Sequence, residues 1–147
     1  MFIGEYLHTV DEKGRLFIPA RLREDLGERF VVTRGLDECL FAFPRPEWDA
    51  LAAKLRTVPF TRAAGRAFSR ILFSGACECE LDRQGRTLLP ANLRSFAGLE
   101  KEAVIIGVSS RLEIWSKDRW EAYLRNAEVS YEDIAEKIGE GPGELDL

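Results

Sequence analysis

The first 27 residues alternate between apolar and polar positions in a pattern typical of two short strands and a helix. Residues 6–10 and 15–18 have the composition of strands, and Asp11 to Gly14 has the composition of a tight turn, with Gly14 suited to a positive φ. This predicts a β-hairpin. Apolar residues spaced four apart then predict a helix of about two turns between a proline and a glycine.

A second hairpin and a second helix are predicted after Gly27. Residues 30–33 and 39–43 are rich in β-branched and aromatic side chains, and residues 34–38 between them have turn composition. Pro46 is placed to begin a helix that runs through Lys54, with its apolar residues at helical spacing.

The same order of elements recurs because the chain contains an internal repeat. Residues 11–23 match residues 82–94 at a constant offset of 71, with Asp, Gly, Arg, Pro, Ala, Leu and Arg in common. Past Gly27 and Gly98 the offset becomes 72, which pairs Leu40 with Leu112 and Trp48 with Trp120. A duplicated unit gives the chain an internal pseudo-twofold axis.

The repeat divides the chain into four segments and predicts an α+β fold. We expect a first half at residues 1–58, a connecting helix at 59–75, a second half at 76–126, and a short helix with an acidic tail at 127–147. The connecting segment has no counterpart at that point in the first half. Its Arg62, Arg66 and Arg70 stand four apart and form a basic stripe, for which a solvated face and a partner-facing or nucleic-acid-facing edge are the alternatives.

Composition is typical of a globular protein, and the charge is unevenly distributed. Hydrophobic residues make up 46% of the 147 residues, and the net charge is −4. Residues 126–147 hold seven acids and one lysine, a net of −6, which leaves residues 1–125 at +2. The body of the chain is therefore mildly basic, and binding to nucleic acid is not excluded by the overall acidity.

Targeting signals and disulfide staples are not expected. Neither a secretory signal nor an apolar run long enough to span a membrane is found, so we expect a cytoplasmic protein that does not enter a membrane. Cys39, Cys77 and Cys79 are an odd number in a chain of this size, which favours free thiols in a reducing compartment.

The candidate functional residues are the arginines that follow the glycine of each turn. Arg15 and Arg86 lie at the base of a two-stranded ribbon, and an arginine there can enter a DNA groove and bind guanine or phosphate with its planar guanidinium. Lys13 and Arg83 lie in the same turns and are candidates for phosphate contacts.

The aspartate that opens each turn is predicted to support it. A carboxylate at Asp11 or Asp82 can accept hydrogen bonds from backbone N–H groups two or three residues later and can orient the following arginine. Gly14 and Gly85 complete the two turns. Two ordinary turns with solvent-facing arginines are the structural alternative.

These residues resemble a known family. The two copies of Asp-x-x-Gly-Arg-x-x-x-Pro-Ala-x-Leu-Arg, the opening Met-Phe-x-Gly-Glu-Tyr and the length are similar to the MraZ family, whose halves resemble AbrB-like (SpoVT-AbrB) DNA-binding domains. The resemblance covers residues 1 to about 140. It implies a swapped-hairpin β-barrel shared by the halves, with flanking helices.

The resemblance also implies a function. Members form a ring-like homo-oligomer that binds direct repeats of double-stranded DNA in the promoter of the bacterial division and cell-wall gene cluster. By position, Arg15 and Arg86 are the DNA-contacting arginines, with Lys13 auxiliary. The second turn has Arg83-Gln84 where the first has Glu12-Lys13, which leaves open whether both halves contact DNA equivalently. We therefore expect a nucleoid-associated transcriptional regulator without a cofactor.

Three alternatives remain beside this interpretation. The two Asp-x-x-Gly elements could form a paired-aspartate hydrolase, although adjacent arginines favour ionised carboxylates and we expect no enzyme. Cys77-x-Cys79, with Cys39 and His8, could ligate a metal, although the single-residue spacing favours ordinary strand cysteines, and no metal is expected. The third is an oligomeric protein-binding module whose arginines grip acidic partners, with the 61–73 helix and the tail as docking elements.

Overall fold

The computed structural model describes residues 1–139 and divides the chain into two compact units. The units are Met1–Lys117 and Asp118–Leu147. Three acids of the predicted acidic tail, Glu140, Glu144 and Asp146, lie outside the described residues.

Two successive runs of elements have the same order, β-β-α-β-β-α-α. The first run contains β1 (Glu5–Thr9), β2 (Arg15–Phe17), α1 (Ala20–Leu26), β3 (Arg29–Arg34), β4 (Leu40–Pro44), α2 (Arg45–Arg56) and α3 (Ala63–Gly75). The second run contains β5 (Cys77–Glu80), β6 (Arg86–Leu88), α4 (Ala91–Ala97), β7 (Glu102–Val108), β8 (Arg111–Ser116), α5 (Lys117–Val129) and α6 (Tyr131–Ile138). In this order α6 follows α5 as α3 follows α2, a correspondence that the sequence repeat did not reveal.

The strands of the first unit form two antiparallel sheets, and the fold is α+β as the sequence predicted. One sheet has six strands in the order β1-β7-β8-β4-β3-β5, and the other consists of β2 and β6. Reversing the six-stranded order and exchanging the halves gives the same order again. The sheet therefore has the pseudo-twofold symmetry that the repeat indicated.

The predicted hairpin of β1 and β2 was wrong in its pairing. The two strands do not pair along their lengths and are joined by an isolated bridge between Val10, which directly follows β1, and Leu16 of β2. Instead, β1 pairs with β7 and β2 pairs with β6, both from the second half, while β5 pairs with β3 of the first half. The sequence showed which segments are extended, but the strand partner is decided by packing between distant segments, which local pattern does not encode.

The second hairpin of each half forms within that half. β3 pairs with β4 from Phe30 opposite Pro44 to Arg34 opposite Leu40, and β7 pairs with β8 in the same way. β4 and β8 then join the halves at the centre of the sheet, where Leu40 faces Ile114.

Both halves contribute to one hydrophobic core. From the first half it contains Leu16, Ile18, Leu22, Leu26, Phe30, Val32 and Leu40, and from the second half Leu89, Leu93, Ala97, Ile105, Leu112 and Ile114. Each of these side chains is at most 3% exposed. Because the apolar faces of the short helices meet in this shared core, neither half buries its own apolar surface alone.

The second unit is described as two helices, α5 and α6. Within α5 the rings of Trp120 and Tyr123 stack with their centroids 6.1 Å apart. On α6, Glu132 and Asp133 lie in the first turn and Lys137 in the last, which matches the helix dipole at both ends. None of the described helices is both long and apolar enough to cross a membrane.

Candidate functional site

The first turn is held by the side chain of Asp11. One carboxylate oxygen, Oδ1, accepts hydrogen bonds from the backbone N–H groups of Lys13 at 3.0 Å and Arg15 at 2.9 Å. The other, Oδ2, accepts one from Nε of Arg15 at 2.7 Å. Gly14 has a φ of +86°, which closes the turn at a backbone conformation that suits glycine.

The second turn repeats this geometry. Oδ1 of Asp82 accepts from the backbone N–H groups of Gln84 and Arg86, both at 2.9 Å, and Oδ2 accepts from Nε of Arg86 at 3.0 Å. Gly85 has a φ of +77°. Each turn therefore fixes its arginine through the same five-residue motif.

The hydrogen bonds also change the acidity of the two aspartates. The backbone N–H of Arg15 has the largest effect on the pKa of Asp11 and lowers it. Desolvation opposes this effect, and the Arg15 guanidinium and the Lys13 N–H lower the pKa further. The backbone N–H of Arg86 lowers the pKa of Asp82 in the same way. Both carboxylates are thus ionised near neutral pH, and each carries the charge that orients its arginine.

Strand pairing brings the two arginines to one face of a short ribbon. Arg15 pairs with Leu88, and Phe17 pairs with Arg86. Side chains alternate across a strand, so these four lie on one face, while the intervening Leu16 is 0% exposed on the other. Arg15 and Arg86 are diagonal neighbours, which places their Cα atoms about 7–8 Å apart.

Both arginines remain accessible while they are anchored. The side chain of Arg15 is 30% exposed and that of Arg86 is 29% exposed. Their hydrogen bonds to aspartate use Nε, so the Nη1 and Nη2 donors stay outside that bond. The ribbon therefore presents two oriented guanidinium groups on one face, each held at its own turn, and each can bind phosphate or a base edge.

The auxiliary cations lie at the tips of the turns. Lys13 and Arg83 are both exposed. They occupy non-equivalent positions, because Lys13 is the third residue of its turn and Arg83 is the second of its own. The two tips therefore differ in the placement of their charge.

Comparison with known proteins decides the family. The family model described as MraZ protein, putative antitoxin-like, matches this chain twice, at residues 1–71 and 72–138. The chain belongs to the MraZ family. The resemblance that the doubled motif indicated is thereby confirmed.

Close relatives carry the same family name. A protein of Pelotomaculum thermopropionicum named Transcriptional regulator MraZ is 67% identical over 138 residues, covering 94% of this chain and 95% of its own length. Proteins of the same name from Moorella thermoacetica and Heliobacterium modesticaldum are 62% and 61% identical, each covering 94% of this chain and 96% of its own length. The chain is thus a member of a family of transcriptional regulators and not of enzymes.

The geometry agrees with this distinction for the two aspartates of the MraZ motif. A pair of carboxylates that shares one proton requires one raised pKa. Here the pKa values of Asp11 and Asp82 are both lowered, and each carboxylate binds the arginine of its own turn. The hydrolase alternative is therefore not supported.

The cysteines do not form a metal centre within the described residues. No group of three or more His, Cys, Asp or Glu side chains in that part of the chain is arranged to hold a metal ion. Burial raises the pKa of Cys39 to about 12 and that of Cys79 to about 12. All three cysteines are free thiols.

Two further arginines of the MraZ motif lie beside the turns, and sequence reasoning assigned them no role. Nε of Arg23 donates to the carbonyl oxygen of Ile18 at 2.7 Å, and Nε of Arg94 donates to that of Leu89 at 3.0 Å. Both close the repeated motif, so their equivalence was visible in the sequence. Their position beside the turns was not, because it depends on how the halves exchange strands.

The arginine stripe of α3 lies away from the turns. Thr33 and Arg34, at the end of β3, hydrogen-bond to backbone carbonyls of α3, whereas Arg29 at the other end of β3 pairs with Glu80, which precedes the second turn. Arg62, Arg66 and Arg70 are all exposed. The stripe is therefore not part of the ribbon of β2 and β6 that carries Arg15 and Arg86.

Proposed function

We propose that this chain is a sequence-specific DNA-binding transcriptional regulator that reads double-stranded DNA through Arg15 and Arg86. The observation that carries the proposal is the ribbon of β2 and β6, on which both arginines share one accessible face while aspartate fixes their direction. A two-stranded ribbon fits the major groove of B-DNA, and an oriented guanidinium suits guanine O6 and N7.

The remaining site residues act around this pair. Lys13 and Arg83, exposed at the tips, contact phosphates and set the register on the duplex. Asp11, Gly14, Asp82 and Gly85 support the turns. No cofactor takes part.

Family membership supports the wider setting of the proposal. The regulator acts on direct repeats in the promoter of the division and cell-wall gene cluster, in the cytoplasm and associated with the nucleoid. The exchange of β1, β2 and β5 between the halves supports the swapped-hairpin β-barrel, with the halves at 1–58 and 76–126, the connecting helix at 59–75, and the short helix and tail at 127–147.

Self-association completes the proposal. One ribbon covers little DNA, since single recognition modules bury about 600–1,000 Å². Phe60 is 83% exposed and Ile71 is 54% exposed, and apolar surface of this kind supports contact with further copies of the chain in a ring-like homo-oligomer.

The test is a mobility-shift assay with the DNA upstream of the protein's own gene. Arg15→Ala and Arg86→Ala should each cost roughly 1–3 kcal/mol of binding free energy if the side chain reads a base. Arg56→Ala is the matched control, because it removes one exposed positive charge from α2, outside the turns.

Two outcomes would contradict the proposal. Equal binding of wild-type protein to cognate and scrambled DNA would favour the protein-binding module, in which the arginines grip acidic partners. Unchanged affinity in both turn variants would mean that these arginines do not contact DNA.

A further inference from the structure

The two arginines that close the repeated motif cross from one half to the other. Arg23 belongs to α1 of the first half, and its guanidinium lies against Gly85 of the second turn, where an added Cβ would overlap it. Arg94 belongs to α4 of the second half and lies in the same way against Gly14 of the first turn, where an added Cβ would be 2.6 Å from its Cζ.

Backbone hydrogen bonds cross in the same reciprocal sense. The N–H of Ile18 donates to the carbonyl of Gly85 at 2.9 Å, and the N–H of Leu89 donates to the carbonyl of Gly14 at 3.0 Å. Arg23 and Arg94 donate to the carbonyls of these same two residues, Ile18 and Leu89. Each arginine is thus hydrogen-bonded within its own half, to the residue whose backbone N–H binds the glycine of the other turn.

Arg23 also contacts an aromatic ring beside Arg86, one of the candidate DNA-contacting residues. The guanidinium of Arg23 lies 4.7 Å from the ring centroid of Phe17, a cation–π distance. Phe17 is the strand partner of Arg86. Arg23 therefore borders both the turn glycine and the strand neighbour of Arg86.

We propose that Arg23 and Arg94 are positioning residues that act across the halves, with Arg94 holding the turn of Arg15 and Arg23 holding the turn of Arg86. This inference rests on the proposed function, because it assigns a role in presenting the two arginines to DNA. The alternative assignment is that each of these arginines serves the turn of its own half.

A planar guanidinium suits this position better than an ammonium group. Its face can lie flat on a glycine that lacks a side chain, while Nε keeps its hydrogen bond to a carbonyl oxygen. A lysine preserves the charge but not the flat contact. Arg94→Lys therefore separates positioning from simple electrostatic attraction of DNA.

The experiment is a set of four double-mutant cycles in DNA binding by the full-length protein, using the DNA upstream of its own gene. We expect the crossed pairs, Arg94→Ala with Arg15→Ala and Arg23→Ala with Arg86→Ala, to be non-additive by about threefold or more in Kd. The same-half pairs, Arg94→Ala with Arg86→Ala and Arg23→Ala with Arg15→Ala, serve as matched controls and should be additive. Non-additivity confined to the same-half pairs, or additivity in all four, would overturn the inference.

Hydrogen exchange of the free protein tests the same assignment without DNA. Arg94→Ala should lower the protection of the Lys13, Gly14 and Arg15 amides and leave that of the Gln84, Gly85 and Arg86 amides unchanged, and Arg23→Ala should do the reverse. Arg94→Lys should resemble Arg94→Ala, and it replaces that variant if the alanine protein fails to fold. Loss of protection in the turn of the mutated half instead would overturn the assignment.

The two measurements separate failure of this inference from failure of the proposed function. If Arg15→Ala and Arg86→Ala leave DNA binding unchanged, the proposed function fails and the cycles carry no positioning effect. The inference then fails too, because Arg23 and Arg94 would have no part in presenting arginines to DNA. If both variants weaken binding but the amides respond within the mutated half, only the inference fails.

Discussion

The aspartate of each turn is the residue whose chemistry was clearest from the sequence alone. The spacing Asp-x-x-Gly-Arg predicted that a carboxylate would accept backbone N–H groups and orient the arginine, and the turns of Asp11 and Asp82 have this geometry. This could be foreseen because every partner lies within four residues. Arg23 and Arg94 could not be placed in the same way, since their contacts join segments more than 60 residues apart.

Acidification should weaken both turns. The pKa of Asp11 and that of Asp82 are lowered in the folded protein, so each carboxylate stabilises the fold at pH values above its ordinary pKa of 3.8. That contribution is lost as the pH falls below this value and through the lowered folded pKa. When the free energy of unfolding is measured against pH, Asp11→Asn should lose less stability on acidification than the wild type. An identical pH profile would contradict the prediction.

Helix α3 shows how an element is attached through a few polar contacts as well as apolar ones. Near its C-terminus, the hydroxyl of Thr33 donates to the carbonyl of Leu72 at 2.6 Å, and the hydrogen bond is buried. Arg34 adds a bond to the carbonyl of Ile71 at 2.8 Å. These bonds engage backbone oxygens close to the helix end, where intrahelical partners run out.

Removal of the Thr33 hydroxyl should destabilise the protein. Thr33→Val keeps the shape of the side chain but leaves a buried carbonyl oxygen without this donor, at a cost of about 1–3 kcal/mol. Urea unfolding measures the change. Thr57→Val is the matched control, because the Thr57 hydroxyl also donates to a carbonyl, that of Lys54, but at an exposed site where water can replace it. Equal losses in the two variants would contradict this account.

The elements themselves followed from the sequence far better than their pairing did. The strands around Tyr6, Phe30 and Ile105 and the helices after Pro19 and Pro90 were predicted from period and punctuation, because these signals are local. The partners of β1 and β2 were not, because a strand of three to five residues has no sequence signal for the strand beside it. The pattern of residues did not show the exchange of strands, and only the family resemblance, through the swapped-hairpin barrel that it implies, pointed to one.

At the scale of the whole molecule, the halves are folded into each other. A fragment of residues 1–75 would lose β7 and β6, the partners of β1 and β2, and also β5, one of the two partners of β3. We therefore expect that it does not exist as a folded monomer. Circular dichroism with light scattering over a range of concentrations checks this. A fragment that is folded and monomeric at low concentration would show that the exchange is dispensable.

Binding to DNA should depend on how many repeats a probe contains. In the proposed oligomer several ribbons engage successive repeats together, and avidity gains on the order of 10²–10⁴ follow when the spacing fits. A probe with three repeats should bind far more tightly than one with a single repeat, and an insertion of about half a helical turn between repeats should remove the gain. Titration in a mobility-shift assay measures both effects, and equal affinity for one and three repeats would refute the prediction.

The covalent link between the halves removes a restriction that applies to pairs of identical chains. A homodimer must present the same DNA-contacting turn twice, so its target tends toward a palindrome. In this chain the middle residues of the first turn are Glu12-Lys13 and those of the second are Arg83-Gln84, whereas the order of the strands is symmetric. Mutation can alter either turn without altering the other, so in the proposed function a single polypeptide can evolve to recognise two dissimilar stretches of sequence with one orientation along the DNA.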